Sequence, residues 1–151
     1  MDASLLHAHP FMRMLTREQA ERLVPCAREV AFADNVLIFR EGAPADTSYL
    51  ICDGSVALEV HIPGRDAVQV ESLHDGDVLG LSWLFPSAQW TLDARSVGRV
   101  RAFALRADCL LEQMNKDPVL EAAVLAHMVQ ALYQRLQRVR LQRLDVYSKG
   151  V

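Results

Sequence analysis

The sequence predicts a mainly β protein with flanking helices, in which a roll of short strands follows one helix and precedes a short and then a long helix. Three observations carry this: a capped helical stretch near Thr16, short apolar runs broken by Gly, Asp, Asn and Pro from Val30 to Leu105, and a closing segment without Gly or Pro. At 151 residues the chain has the length of one domain with room for a real core.

The first fourteen residues, "MDASLLHAHPFMRM", read as a tail, with no basic region ahead of an apolar run and hence no signal peptide. Thr16 followed three residues later by Gln19 is a capping-box spacing, and Ala20, Leu23 and Val24 then share one side. A helix is expected from about Thr16 to Pro25, where proline interrupts the hydrogen-bond ladder. Strands are expected in "NVLIFREG", "SYLICDG", "SVALEVHI", "AVQVESL" and "RVRAFAL". Alternation is clearest where Val56, Leu58, Val60 and Ile62 oppose Ala57, Glu59 and His61, predicting one buried and one wet face. Pro63 to Asp66 make a hairpin turn into Val68 and Val70, with Gln69 and Glu71 outward; Asp53-Gly54 and Asp75-Gly76 mark further turns.

After Leu105, "ADCLLEQMNKDP" predicts a short helix ending near Pro118, and a long helix follows over residues 119–147. The organisation expected is a tail over 1–14, a helix and β-roll over 15–118, the long helix over 119–147 and a tail over 148–151. Ala122, Leu125, Val129, Leu132, Leu136 and Val139 follow a three-four spacing, a seam that predicts a homodimer; Arg143 interrupts it and Val146 resumes it. A second row, Val124, Met128, Leu141 and Leu144, is expected to face the β unit. The run Arg135, Arg138, Arg140 and Arg143 could meet nucleic acid or anionic lipid, but is expected to be the solvated flank of the coiled coil.

A formal net charge of −3 argues against a nucleic-acid surface, and no apolar run approaches a membrane span. Cys26, Cys52 and Cys109 are odd in number and widely spaced, so they read as free thiols of a reducing, cytoplasmic compartment, with Cys52 a small buried hydrophobe. His7 and His9 form an HxH in the tail, read as solvated; His61, His74 and His127 are isolated, so no metal or haem site is expected. No spacing supports a Ser-His-Asp, Cys-His or paired-carboxylate arrangement, and no enzyme and no cofactor are expected.

Helix, β-roll, short helix, long helix is the order of a cyclic-nucleotide-binding domain, and the chain resembles the sensory half of the catabolite-activator and fumarate-nitrate-regulator group. "IFREGAPADTSYLICDGSVAL" resembles a strand, Gly turn, second strand and Gly-Ser-Val of that family, and "GDVLG" resembles the start of its phosphate-binding cassette. The likeness spans roughly Leu15 to Val146 and implies a double-stranded, jelly-roll-like β-helix and a non-enzymatic regulatory role. "GLSWLFP" and "RLQRVRLQRLDVY" are also similar to small stand-alone bacterial members without a helix-turn-helix, which implies no direct reading of DNA.

The resemblance implies where a nucleotide would sit: an Arg for the cyclic phosphate, backbone N–H groups around it and a Glu for the ribose. Here Leu81 stands at the Glu position, and Ala88 or Gln89 at the Arg position. Gly80, Leu81, Ser82, Trp83, Ala88, Gln89 and Trp90 are therefore the residues of a degenerate cassette, with Arg140 near where a base contact would come and Arg95 or Arg65 as substitute cations. Trp83 and Trp90 either stack on a planar ligand or fill the space a nucleotide would occupy, and filling is the expected role. Ser82, Ser87 and Gln89 either bind a neutral ligand or shape the turn. If Trp90 points into the roll, strand alternation turns Arg95 out. The expectation is a dimeric sensor module with altered nucleotide recognition, acting on a protein partner. The alternatives are a rearranged cyclic-nucleotide site and a ligand-free interaction scaffold.

Overall fold

The computed structural model describes residues 2–85 and 88–149, with side chains described through Leu144. Thr16 caps the expected helix: its side chain accepts the Gln19 N–H while the Gln19 side chain accepts the Thr16 N–H. Two short helices precede it, α1 (Ala3–His7) and α2 (Pro10–Arg13), so α3 is Arg17–Leu23, closed by a 3₁₀ turn over Val24–Cys26.

The opening segment is therefore no solvated tail. Leu6, Phe11 and Met12 are buried under the sheet, and His9 is only 4% exposed. The His9 ring ends α1's connection to α2 by accepting the Phe11 N–H on Nδ1 at 3.1 Å, while Nε2 donates to the Ile51 carbonyl at 2.9 Å. Both ring nitrogens are used by one neutral tautomer, a role that an HxH read for metal spacing does not reveal. Burial, opposed by the Ile51 carbonyl and by Asp77, holds the His9 pKa below its ordinary 6.5. The unfolded chain thus binds a proton there that the folded chain resists, so His9 stabilises the fold fully above pH 6.5 and loses that contribution as pH falls from 6.5 through the folded value. Denaturant unfolding should show stability falling with acidification below 6.5 by up to about 1.4 kcal/mol per pH unit, a slope that His9→Gln removes. An equal slope in the variant would contradict this.

Six strands form one antiparallel sheet: β1 (Ala27–Phe32), β2 (Leu37–Phe39), β3 (Thr47–Val60), β4 (Val68–Leu73), β5 (Val78–Leu79) and β6 (Asp93–Arg106). The order is β1-β6-β3-β4, with β2 on β6 and β5 on β3. β1 begins two residues after the expected helix end at Pro25 and is a strand not among those expected, although the β-rich stretch expected from Val30 covers its second half. "SYLICDG" and "SVALEVHI" are one strand, because Asp53-Gly54 makes a bulge against β6 and not a turn. Gly54 has φ +115°, and a Cβ there would lie 2.5 Å from the Arg99 carbonyl oxygen, so only glycine permits that kink.

The alternation expected beyond Leu58 also changes. Val56 and Leu58 are buried, but a register shift between Leu58 and Glu59 and the edge position of β4 leave Val68, Val70 and Ile62 exposed. Ala57, expected on the wet face, is buried, and Glu71, expected outward, is largely covered. One core cluster (Ile51, Val56, Leu73, Leu79, Val100) fills the roll, and a second joins the sheet to the helices through Leu23, Leu50, Phe103, Leu110, Leu120 and Met128.

Helices α4 (Ala107–Lys116) and α5 (Pro118–Lys149) complete the chain. Cys26 and Cys109 are joined by a disulfide, with Cα atoms 5.4 Å apart; only Cys52 is free, and it is half-buried. This corrects the reading of three free thiols and removes the argument for a reducing compartment that rested on it. No helix among the described residues is long and apolar enough to cross a membrane.

Candidate functional site

The cassette is built from the loop after β5. Gly80 has φ +98° and its carbonyl accepts two donors, the Trp83 indole N–H at 3.0 Å and the Ser48 hydroxyl at 3.1 Å. A 3₁₀ turn over Ser82–Leu84 follows, then Ala88 at φ +31° and Gln89 in a bridge with Pro44. The Trp90 backbone is clamped on the segment before β3: its N–H donates to Ala43 at 3.0 Å, and its carbonyl accepts from Gly42 at 2.8 Å.

Both tryptophans are buried. Trp83 is 3% and Trp90 5% exposed, and with Leu81 they belong to the core cluster that includes the helices. Trp90 stacks on Phe39 with ring centroids 3.8 Å apart and planes 7° from parallel, so a face that could take a base takes Phe39. The loop closes on the indole so tightly that a Cβ on Gly80 would lie 2.7 Å from Trp90 Cη2. Gly80→Ala should therefore cost about 2–4 kcal/mol, from overpacking and an unfavourable positive φ, read as a drop in the unfolding midpoint. Unchanged stability would mean the indole is free to leave.

None of the described residues from Gly80 to Trp90 is cationic. Gln89 is exposed. Arg95 donates to Glu59 at 3.1 Å and to Asn35; β6 begins only at Asp93, so the expected strand alternation does not extend back to Trp90, and it is these partners that hold Arg95. Arg65 and Arg140 are exposed, the latter on α5. Ser82 is half-buried in the turn, and Ser87 lies outside the described residues. Two of the cavities that border the roll are lined by none of the described residues from Gly80 to Trp90.

The arginines of α5 supply a contact the sequence pattern missed. Arg135 grips Glu71 with two hydrogen bonds, at 2.7 and 2.9 Å, and Arg138 donates to Asp77 at 3.0 Å. Asp77 also accepts the His74 N–H, so it ties α5 to the turn that leads into the cassette. Arg135 and Arg138 of the expected solvated flank are engaged, because the face of α5 carrying Val124, Met128, Arg135 and Arg138 lies on the domain. Arg140, two positions on from Arg138, is turned some 200° around the helix. Only a pairing across more than sixty residues reveals these links, and no local signal marks them.

Of the second apolar row, Val124 and Met128 are buried, while Leu141 and Leu144 are each 63% exposed. Along the other side of α5 the seam is uncovered: Leu125, Val129, Leu132 and Leu136 are exposed, Val129 at 65%, and Val139 is half-buried. The side chain of Val146 lies outside the described residues. No cluster of three metal-ligating side chains occurs among the described residues.

The family profile of the cyclic nucleotide-binding domain matches residues 29–117. Among curated proteins, none matches the chain. Among solved structures, a candidate cyclic nucleotide-binding protein of Geobacter metallireducens superposes with a TM-score of 0.79 at 25% identity, over 90% of this chain and 98% of that one. The N-terminal domain of a transcriptional regulator of Streptomyces coelicolor gives 0.69 at 24% identity, over 91% and 94%. The sensor domain of the transcriptional regulator DNR of Pseudomonas aeruginosa gives 0.69 at 21% identity, over 89% and 90%.

Proposed function

The chain belongs to the cyclic nucleotide-binding domain family, and from that premise we propose that it is a non-enzymatic regulatory module, dimeric through α5, whose cassette has exchanged nucleotide recognition for an apolar plug. The observation that carries this is Trp90: stacked on Phe39, it meets Gly80 where the loop closes. The replacement of acid and cation by Leu81 and Gln89 supports the same reading. A buried phosphate without its cation loses about 3–5 kcal/mol, which is two to three orders of magnitude in affinity.

The output is a change in helix packing that a protein partner reads. Arg138 on Asp77 makes the position of α5 sensitive to the turn at Asp75–Asp77, so a ligand or partner that moves the turn biases one of two dimer arrangements. The exposed seam supports the dimer, since Leu125, Val129, Leu132 and Leu136 would otherwise keep a continuous apolar row in water. Leu132→Asp should place a carboxylate in that seam and convert the dimer to monomers in size-exclusion chromatography with light scattering; an unchanged mass, or a monomeric parent, contradicts it.

The rearranged-site alternative lacks its cations, because Arg95 is held by Glu59 and Arg140 is exposed on α5. Calorimetry with cyclic AMP, cyclic GMP and cyclic di-GMP separates the two readings: saturable binding below about 10 µM favours the rearranged site.

A further inference from the structure

The larger cavity lies outside the cassette. It holds about 570 Å³, within the range of small-molecule sites, between the N-terminal helices and the outer face of the sheet. Leu5, Ala8 and Pro10 form one wall, and Cys52, Arg101 and Phe103 lie across from them on β3 and β6. Glu29 on β1 and Asp75 on the turn add two carboxylates.

The charges at this cavity are uncommitted in a specific way. Asp75 is already used, accepting the Gly54 N–H at 2.7 Å. Arg101 and Glu29 make no hydrogen bond or ion pair among the described residues, although both act electrostatically on the Cys52 thiol and so flank the same floor. In the sheet register Arg101 is opposite Ala31 on β1 and Asp53 on β3, and Glu29 is opposite Phe103, so cation and anion stand diagonally across one sheet face with Phe103 between β1 and β3. A lone anion there would meet Glu29 and Asp75, and a lone cation would meet Arg101; a molecule carrying both charges meets neither penalty. Apart from His9, whose ring nitrogens are already bonded to Phe11 and Ile51, the remaining lining is mostly apolar.

We propose that this cavity binds a small amphipathic zwitterion of the apolar dipeptide class, with its carboxylate on Arg101, its ammonium on Glu29 and its side chains against Leu5, Pro10 and Phe103. The site is also wired to the long helix. Pro10 lies 3.2 Å from where a Gly76 Cβ would be, Gly76 donates to the Ile51 carbonyl, and the next residue, Asp77, holds Arg138. A ligand seated against Pro10 and Gly76 thus presses on the turn that α5 reads. This cavity is separate from the cassette, and ligand binding in it does not depend on whether a nucleotide binds there.

The test is calorimetry of the full chain with leucyl-phenylalanine, beside the same peptide amidated at its C-terminus and acetylated at its N-terminus. The expected result is saturable binding, weakened about tenfold or more by amidation, by acetylation or by Arg101→Ala, and abolished by Ala8→Trp, which fills the cavity from an exposed position. Backbone amide shifts should centre on Ala8, Ala31 and Gly76. No saturation up to about 1 mM, binding indifferent to both capped peptides, or shifts centred on Gly80 to Trp90 would each overturn the proposal. The capped peptides test it on the unaltered protein, and none of the probes carries a phosphate, so the outcome is distinct from that of the nucleotide titration.

Discussion

Reducing the Cys26–Cys109 disulfide should lower the thermal unfolding midpoint by roughly 8–16 °C. The bond closes a sequence separation of 83 residues, and removing a cross-link over a loop of that size returns about 4 kcal/mol of chain entropy to the unfolded state. In a domain of this size each kcal/mol moves the midpoint by about 2–4 °C. The bond also lies at a junction, joining the 3₁₀ turn after α3 to the first turns of α4, and both half-cystines belong to the core cluster shared by sheet and helices. Calorimetric scans with and without reductant, together with the Cys26→Ala/Cys109→Ala double variant, measure the effect. Thiol titration should find one reactive sulfur in the oxidised, denatured chain and three after reduction. Equal midpoints, or three thiols without reductant, would remove the disulfide from the account.

Much of the architecture is legible because it is local. Thr16 and Gln19 announce α3 by spacing alone, Pro118 separates the two C-terminal helices, and the three-four row from Leu125 to Leu136 marks the exposed side of α5. What local patterning misreads is what long-range partners decide. Asp53-Gly54 has the composition of a turn, yet pairing with β6 draws both halves into one strand with a bulge. His9 looks like a solvated tail residue until the Ile51 carbonyl, forty-two positions away, accepts its ring N–H. Cys26 and Cys109 sit far apart in sequence and meet only when α3 packs beside α4. The same division holds in the cassette. Neutral Leu81 and Gln89, where the resemblance implies an acid and a cation, can be read from the sequence, while the stack of Trp90 on Phe39 depends on where β2 places Phe39.

Cyclic AMP should bind this cassette at least about a hundredfold more weakly than a site with its arginine in place. Two effects act together. The phosphate finds no guanidinium, since the loop's polar side chain at that place, Gln89, is exposed. Admitting the base would mean unstacking Trp90 from Phe39 and moving an indole that is 5% exposed. Removing a buried tryptophan from its site costs about 3–5 kcal/mol in stability, a penalty of the same order as the missing ion pair. The two do not compensate each other, because restoring a cation leaves the plug and removing the plug leaves an unpaired phosphate.

Trp83 and Trp90 are the only tryptophans of the chain, and both lie in the cassette, so intrinsic tryptophan emission reports on this loop directly. Emission recorded during a titration with cyclic AMP is the decisive measurement. A blue-shifted spectrum, typical of buried indoles, should stay unchanged up to about 100 µM nucleotide. A saturable shift or quench at micromolar concentrations would show that the plug yields to the ligand, and would contradict that expectation.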